Sequence, residues 1–313
     1  MQDIMQQVRN LQIRTKRQVS DVLSGAYLSV FKGSGVEFDE VRPYVPGDDV
    51  RSIDWNVTAR TGIPHIKRFV EERELSIMLL IDISSSQQFG SKRSKQEIAA
   101  EFASLIAFSA IANQDKIGLI LFADTVEKSI PVRKGQKHVL RLLREILSYE
   151  QEQEKQEADI PWLQRWKKWL FQSQKTTKKT SIAEGVEFCR KILSRKSVVF
   201  VISDFLDQDY WKAIQIANQK HDVVLVSVAD NYEGAMPNVG VVCVEDMETG
   251  ERLVIDSTSS IVTDFTKESN ALRMQEVEHK ARNIGIDLIK LETHKTVIDP
   301  LLEFMKMREK RKK

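Results

Sequence analysis

Four strings of seven or eight residues are almost continuously apolar: LSIMLLID at 75–82, KIGLILFA at 116–123, SVVFVIS at 197–203 and VVLVSVA at 223–229. None alternates apolar with polar residues, so each reads as a strand buried on both faces rather than one with a face in water. Helical patterns separate them. Residues 94–113 carry Ile98, Phe102, Leu105, Ile106 and Ile111 at helical spacing behind a capping box of Ser94 and Glu97. Further helices are predicted over 137–147, 181–193, 209–219, about 264–283 and about 298–310, with a short strand at 126–132 and a last one at 287–291. Strands alternating with helices predict an α/β fold with a doubly wound, mostly parallel sheet covered on both faces. In such a sheet the ligand site lies outside the carboxyl ends of the strands. The residues to inspect therefore follow Ile81, Ala123, Ser203 and Ala229.

The remaining segments suggest an organisation around that sheet. Residues 1–74 form an N-terminal arm, helical and polar to about residue 32 and then rich in turn signals, and residues 75–313 form the α/β domain. Two insertions interrupt the latter. Residues 149–179 are acidic and then Trp-rich, with Glu150–Asp159 reading as a solvated linker for want of an apolar face. Residues 239–256 hold two short strands around DMETGE, a hairpin.

Composition excludes several classes of function. A formal charge of +2 over 313 residues lacks the basic excess of a nucleic-acid binder. Cys189 and Cys243 are far apart in apolar context and read as free thiols in a reducing compartment. No apolar run approaches the length of about 20 residues that spans a bilayer, and the N-terminus lacks a signal peptide's apolar stretch. A soluble, cytoplasmic protein is expected. The five histidines show no metal-ligand spacing, and there is no Walker loop or nucleophile elbow.

The strand ends carry a constellation of oxygen donors. Asp82, Ser84 and Ser86 form a D-x-S-x-S loop after the first strand, Asp204 follows VVFVIS, and Thr180 opens the helix between them. Carboxylates and hydroxyls without His or Cys suit octahedral Mg²⁺ or Mn²⁺ and suit Zn²⁺ poorly. This arrangement resembles the metal-ion-dependent adhesion site of von Willebrand factor A domains. By that resemblance Asp82, Ser84, Ser86, Thr180 and Asp204 hold the ion, and a partner's carboxylate completes its shell. Thr176, Thr177 and Ser181 remain alternatives for the third hydroxyl.

A second resemblance spans almost the whole chain. GSGVEFDEVRPYVPGDDVRSIDWNVTAR, which includes Glu37, Phe38, Arg42, Tyr44, Pro46, Gly47, Asp48, Asp49, Arg51, Ile53, Asp54, Trp55 and Arg60, resembles the signature of the bacterial domain-of-unknown-function family 58. The later VEDMETGERLVID and LLEFMKMR are also similar to that family. The resemblance implies a von Willebrand A-like core and association with MoxR-type AAA+ ATPases, for which members are thought to act as adaptors or co-chaperones. Within the signature, Pro46-Gly47-Asp48-Asp49 is turn chemistry. Arg42, Arg51 and Arg60 interleave with Glu37, Asp48 and Asp54, an expected ion network around Trp55 that clasps the N-terminal arm onto the sheet.

Two further signals bear on partners. In PWLQRWKKWLF, Trp162, Trp166 and Trp169 share a helical face with basic residues beside it, a pattern for a partner-binding or membrane-surface helix as well as for one folded onto its own domain. The C-terminal KMREKRKK suits a solvated helix end. The function expected from the whole is a non-enzymatic, Mg²⁺-dependent protein-interaction module. The alternatives are a Mg²⁺-dependent hydrolase or phosphoryl-transfer enzyme, with Asp124, Asp207 or Asp230 as general base, and a membrane-peripheral scaffold.

Overall fold

The computed structural model describes residues 36–71, 74–88, 90, 93–158, 181–207, 209–230, 240–245 and 252–312. Its organisation follows from how β3 (Ser76–Asp82) is buried. Ile77, Leu79 and Ile81 enter one apolar core, while Met78 and Leu80 enter another on the opposite face. A strand without a wet face is what the unbroken apolar run requires.

Around β3 stands a six-stranded sheet in the order β10-β7-β6-β3-β4-β5. Its other members are β4 (Lys116–Phe122), β5 (Val126–Arg133), β6 (Val198–Ser203), β7 (Asp222–Ala229) and β10 (Asp287–Glu292). Every neighbouring pair is parallel except β4 with β5. Pro131 sits in β5, an edge strand, where its missing N–H costs no ladder bond to a further neighbour. The expected doubly wound α/β sheet is therefore present.

Helices cover both faces. On one lie α2 (Lys95–Ala112), α3 (Gln136–Ala158) and α7 (Ile298–Lys312); on the other lie α4 (Ile182–Ile192), α5 (Trp211–Asn218) and α6 (Ser260–Asn283). Helix α2 is buried from Lys95 to Ala110 except at Glu97, because α3 packs on it from outside; hence its apolar residues surround it instead of forming a stripe. Ser94 caps it by accepting from the Glu97 N–H at 3.0 Å. On the other face, α4 approaches β4 closely at Gly185, where an added Cβ would lie 3.0 Å from the Phe122 ring. The closing helix α7 is held by Arg308, whose guanidinium donates to Asp222 at 2.6 and 2.8 Å and to Asp287 at 2.6 Å.

Three expectations need correction. Residues 150–158 are not a linker: α3 runs without a break from Gln136 to Ala158. Glu, Gln, Lys and Ala are strong helix formers, so an acidic stretch without an apolar face still continues a helix that has already nucleated. The turn-rich segment after residue 35 is also more ordered than its turn signals suggest. Antiparallel strands β1 (Val36–Pro43) and β2 (His65–Glu71) enclose a 3-10 turn (Val50–Ser52) and α1 (Trp55–Thr61). Finally, among the described residues no ion network surrounds Trp55, which is 70% exposed. Arg42 instead pairs doubly with Asp48, at 2.9 and 2.7 Å. Asp49 caps the 3-10 turn, and Asp54 caps α1 while lying 3.5 Å from Lys67. Among residues 40–68 only Asp54 and Ile66 are buried, and neither belongs to the two cores.

The hairpin appears as β8 (Val241–Glu245) and β9 (Arg252–Asp256), paired antiparallel. The N-terminal helix expected over residues 1–32 and the Trp-rich segment fall outside the described residues. Among the described residues no helix is long and apolar enough to cross a membrane.

Candidate metal centre at the strand ends

The chain leaves β3 for β4 and β5 on one side and returns to β6, β7 and β10 on the other. The order reverses between β3 and β6, which makes the crevice between their carboxyl ends the switch point where such sheets bind ligands. Asp82 ends β3 and Asp204 follows β6, so the parallel register brings the two carboxylates to that crevice.

Each is buried and engaged. Asp82 Oδ1 accepts from the Ser84 N–H at 2.9 Å, and Oδ2 accepts from the Ser203 hydroxyl at 2.6 Å. Burial, reinforced by the charge of Asp204, pushes the Asp82 carboxyl up to about 7, against the lowering effect of its hydrogen bonds to Ser203 and Ser84. Asp204 Oδ2 accepts from Lys95 Nζ at 2.8 Å, an ion pair closed to solvent. Asp204 Oδ1 accepts from the Leu206 N–H at 3.3 Å, and its main-chain carbonyl accepts from Arg273 Nη1 at 2.8 Å.

The loop between the hydroxyls is equally fixed. Ser84 and Ser86 are buried, with their Oγ atoms 3.0 Å apart. The Ile83 N–H donates to the Phe122 carbonyl, pinning the loop to the end of β4. Ser181, which caps α4, donates its N–H to the Ala123 carbonyl at 2.7 Å, and the Ile182 N–H donates to Asp207 Oδ2 at 3.0 Å. The start of α4 is thereby tied to the loops after β4 and β6. Thr180, the expected third hydroxyl, lies outside the described residues, as do Trp162, Trp166 and Trp169. Phe205 adopts a left-handed backbone at φ 55°, a costly conformation for a bulky residue, and its N–H donates to Ser203 Oγ at 3.1 Å.

These donors match a small hard cation in their spacing. An octahedral ion with oxygens at about 2.0–2.1 Å places adjacent ligands about 2.9 Å apart, close to the spacing of the two serine hydroxyls. The amide nitrogens of Gln87 and Gln96, both buried, have no acceptor among the described residues. Among the described residues no three of His, Cys, Asp or Glu gather to hold a metal; any ion here depends on hydroxyls.

The acids considered as general bases have structural partners. Asp124 accepts from the Thr125 N–H, Asp207 from the Ile182 N–H, and Asp230 from the Thr293 hydroxyl. Sequence reasoning missed Lys95, Ser203 and Arg273. A signal for Lys95 was present: a cation in a helix's first turn opposes the helix dipole, so it needs a compensating carboxylate.

Sheet and site together define an α/β protein with an oxygen-lined crevice at its switch point. The chain belongs to the family described as protein of unknown function DUF58, whose model matches residues 40–275. The uncharacterized protein Rv1480 of Mycobacterium tuberculosis is 28% identical over 97% of this chain and 89% of its own length. Among solved structures, BatB from Bacteroides thetaiotaomicron is similar over 75% of this chain and 99% of its own, with 14% identity and a TM-score of 0.42. The SpRpn10 VWA domain is similar over 73% and 94%, with 12% identity and a TM-score of 0.37.

Proposed function

We propose that this chain is a cytoplasmic, non-enzymatic protein-interaction module that recognises an acidic residue of its partner through Mg²⁺ or Mn²⁺. Asp82, Ser84, Ser86, Thr180 and Asp204 would hold the ion, which supplies a hard electrophilic position for a carboxylate oxygen. The observation that carries this reading is the pair of buried serine hydroxyls, 3.0 Å apart, in the loop directly after the buried Asp82, whose carboxyl feels the charge of the buried Asp204. Ser203 and the Ser84 N–H orient Asp82, while Arg273 and the left-handed Phe205 hold the turn that presents Asp204. By family resemblance the partner is a MoxR-type AAA+ ATPase, which the module couples to a client.

Affinity capture with the wild-type chain, identified by mass spectrometry, should retain an AAA+ ATPase with Mg²⁺ and lose it with EDTA or with Asp82→Ala. Equal recovery in all three conditions would overturn the reading.

The alternative is a Mg²⁺-dependent hydrolase or phosphoryl-transfer enzyme that uses the same ion as Lewis acid. Phosphoester turnover by wild type and not by Asp204→Ala would establish it.

A further inference from the structure

Lys95 has no place in the donor set described above, yet its side chain is 0% exposed and its ammonium sits on Asp204, a proposed ligand. It occupies the first turn of α2, directly after the Ser94 cap, where the helix dipole disfavours a cation. A buried lysine in that position needs a fixed negative charge, and Asp204, 109 residues further along the chain, supplies it. One oxygen of Asp204 is thereby committed to a positive charge that the protein itself carries. A divalent ion entering beside a retained ammonium would leave surplus positive charge in a pocket of low dielectric, where like charges repel strongly. The ion can bind well only if the ammonium gives up Asp204 or a partner's anion balances the excess.

We infer that Lys95 is a built-in cation that competes with the divalent ion for Asp204 and keeps the metal affinity of the free protein low. This rests on the metal reading of the same site. It deepens that reading by making occupancy dependent on the arrival of an acidic partner. In the metal-free protein the ammonium neutralises Asp204 and holds the β6 turn in its binding shape. With metal and a partner's carboxylate both present, the added negative charge removes the repulsion, so the two bind cooperatively.

The test uses Mn²⁺ alone as probe, titrated by calorimetry into the full chain and into Lys95→Met, Lys95→Arg, Asp82→Ala and Lys95→Met/Asp82→Ala, with thermal unfolding measured in parallel. Lys95→Met should bind Mn²⁺ at least about tenfold more tightly than wild type and show the larger metal-induced rise in Tm. Lys95→Arg, which keeps the charge, should stay near wild type, and Asp82→Ala should remove binding in either background. If wild type binds through Asp82 and Lys95→Met binds no more tightly, competition is wrong while the metal reading stands. If Lys95→Met alone binds, competition holds and the free wild-type protein carries no metal. If no variant binds, both readings fail. A Lys95→Met chain that is unfolded without Mn²⁺ and folds with it also supports the inference, since the ion then replaces the ammonium. One that stays unfolded in millimolar Mn²⁺ overturns it.

Discussion

Single residues of this chain are specified to very different degrees by their immediate neighbours. D-x-S-x-S can be read within five positions, and the structure gives Asp82, Ser84 and Ser86 buried places at the end of β3. Ser203 reads locally as the last residue of an apolar strand, yet its hydroxyl donates to Asp82, 121 residues away. Cys189 illustrates the reverse, since its reading as a buried free thiol followed from apolar context alone. It is 2% exposed, and burial pushes its thiol up to about 12. A raised value means that the folded state holds the proton. The stability this group contributes is complete below the ordinary thiol value near 8.5 and is lost as pH rises from there toward 12. Alkylation of a Cys243→Ser chain at pH 8 should therefore modify Cys189 only at the rate of unfolding and become fast in denaturant. Rapid labelling of the native chain would contradict its burial.

Elements show where periodicity succeeds and where it misleads. The buried strands were legible because an unbroken apolar run of seven or eight residues leaves no wet face. An apolar face marks only the first half of helix α3, whereas an established helix continues through Glu, Gln and Lys on propensity alone. The signature stretch contains the turns that its Gly, Pro and Asp residues announce, and they connect the paired strands β1 and β2. Its aspartates serve as caps and as the partner of Arg42, and Arg42 holds the Asp48 carboxyl below the usual carboxylate range. For α7, the decisive group is Arg308, which bridges the ends of two neighbouring strands through Asp222 and Asp287. Arg308→Met keeps much of the side chain's packing, removes the Arg308 pairing of Asp222 and leaves Asp287 paired with Arg311. It should lower stability by about 2 kcal/mol in urea unfolding. A change below about 0.5 kcal/mol would mean that Arg308 adds nothing to the apolar contacts of α7 and the Arg311–Asp287 pair.

Over the whole molecule, stability is unevenly distributed. Both apolar cores belong to the six-stranded sheet and its helices, and among the described side chains of β1, β2 and α1 none joins either. A two-stranded sheet is marginal by itself, because few contacts hold its backbone hydrogen bonds closed. Native-state hydrogen exchange should show amides of Ile77–Ile81 and Val198–Ile202 opening only with global unfolding. Amides of Val41–Pro43 and His65–Arg68 should exchange orders of magnitude sooner. Equal protection of both sets would mean that the N-terminal unit and the sheet unfold as one.

The amino-acid sequence by itself determined the class of architecture, the crevice in which to look and the first three residues of the candidate site. Each of these depends on periodicity, or on chemistry within a few positions of one strand end. Only the tertiary structure decided that Ser203 orients Asp82, that Arg273 holds the carbonyl of Asp204, and that Lys95 is buried against its carboxylate. These contacts join residues separated by 69 to 121 positions, and nothing in the local pattern of either member names the other. They exist because parallel strands bring distant carboxyl ends together, and because a buried charge requires an opposite charge wherever the fold delivers one.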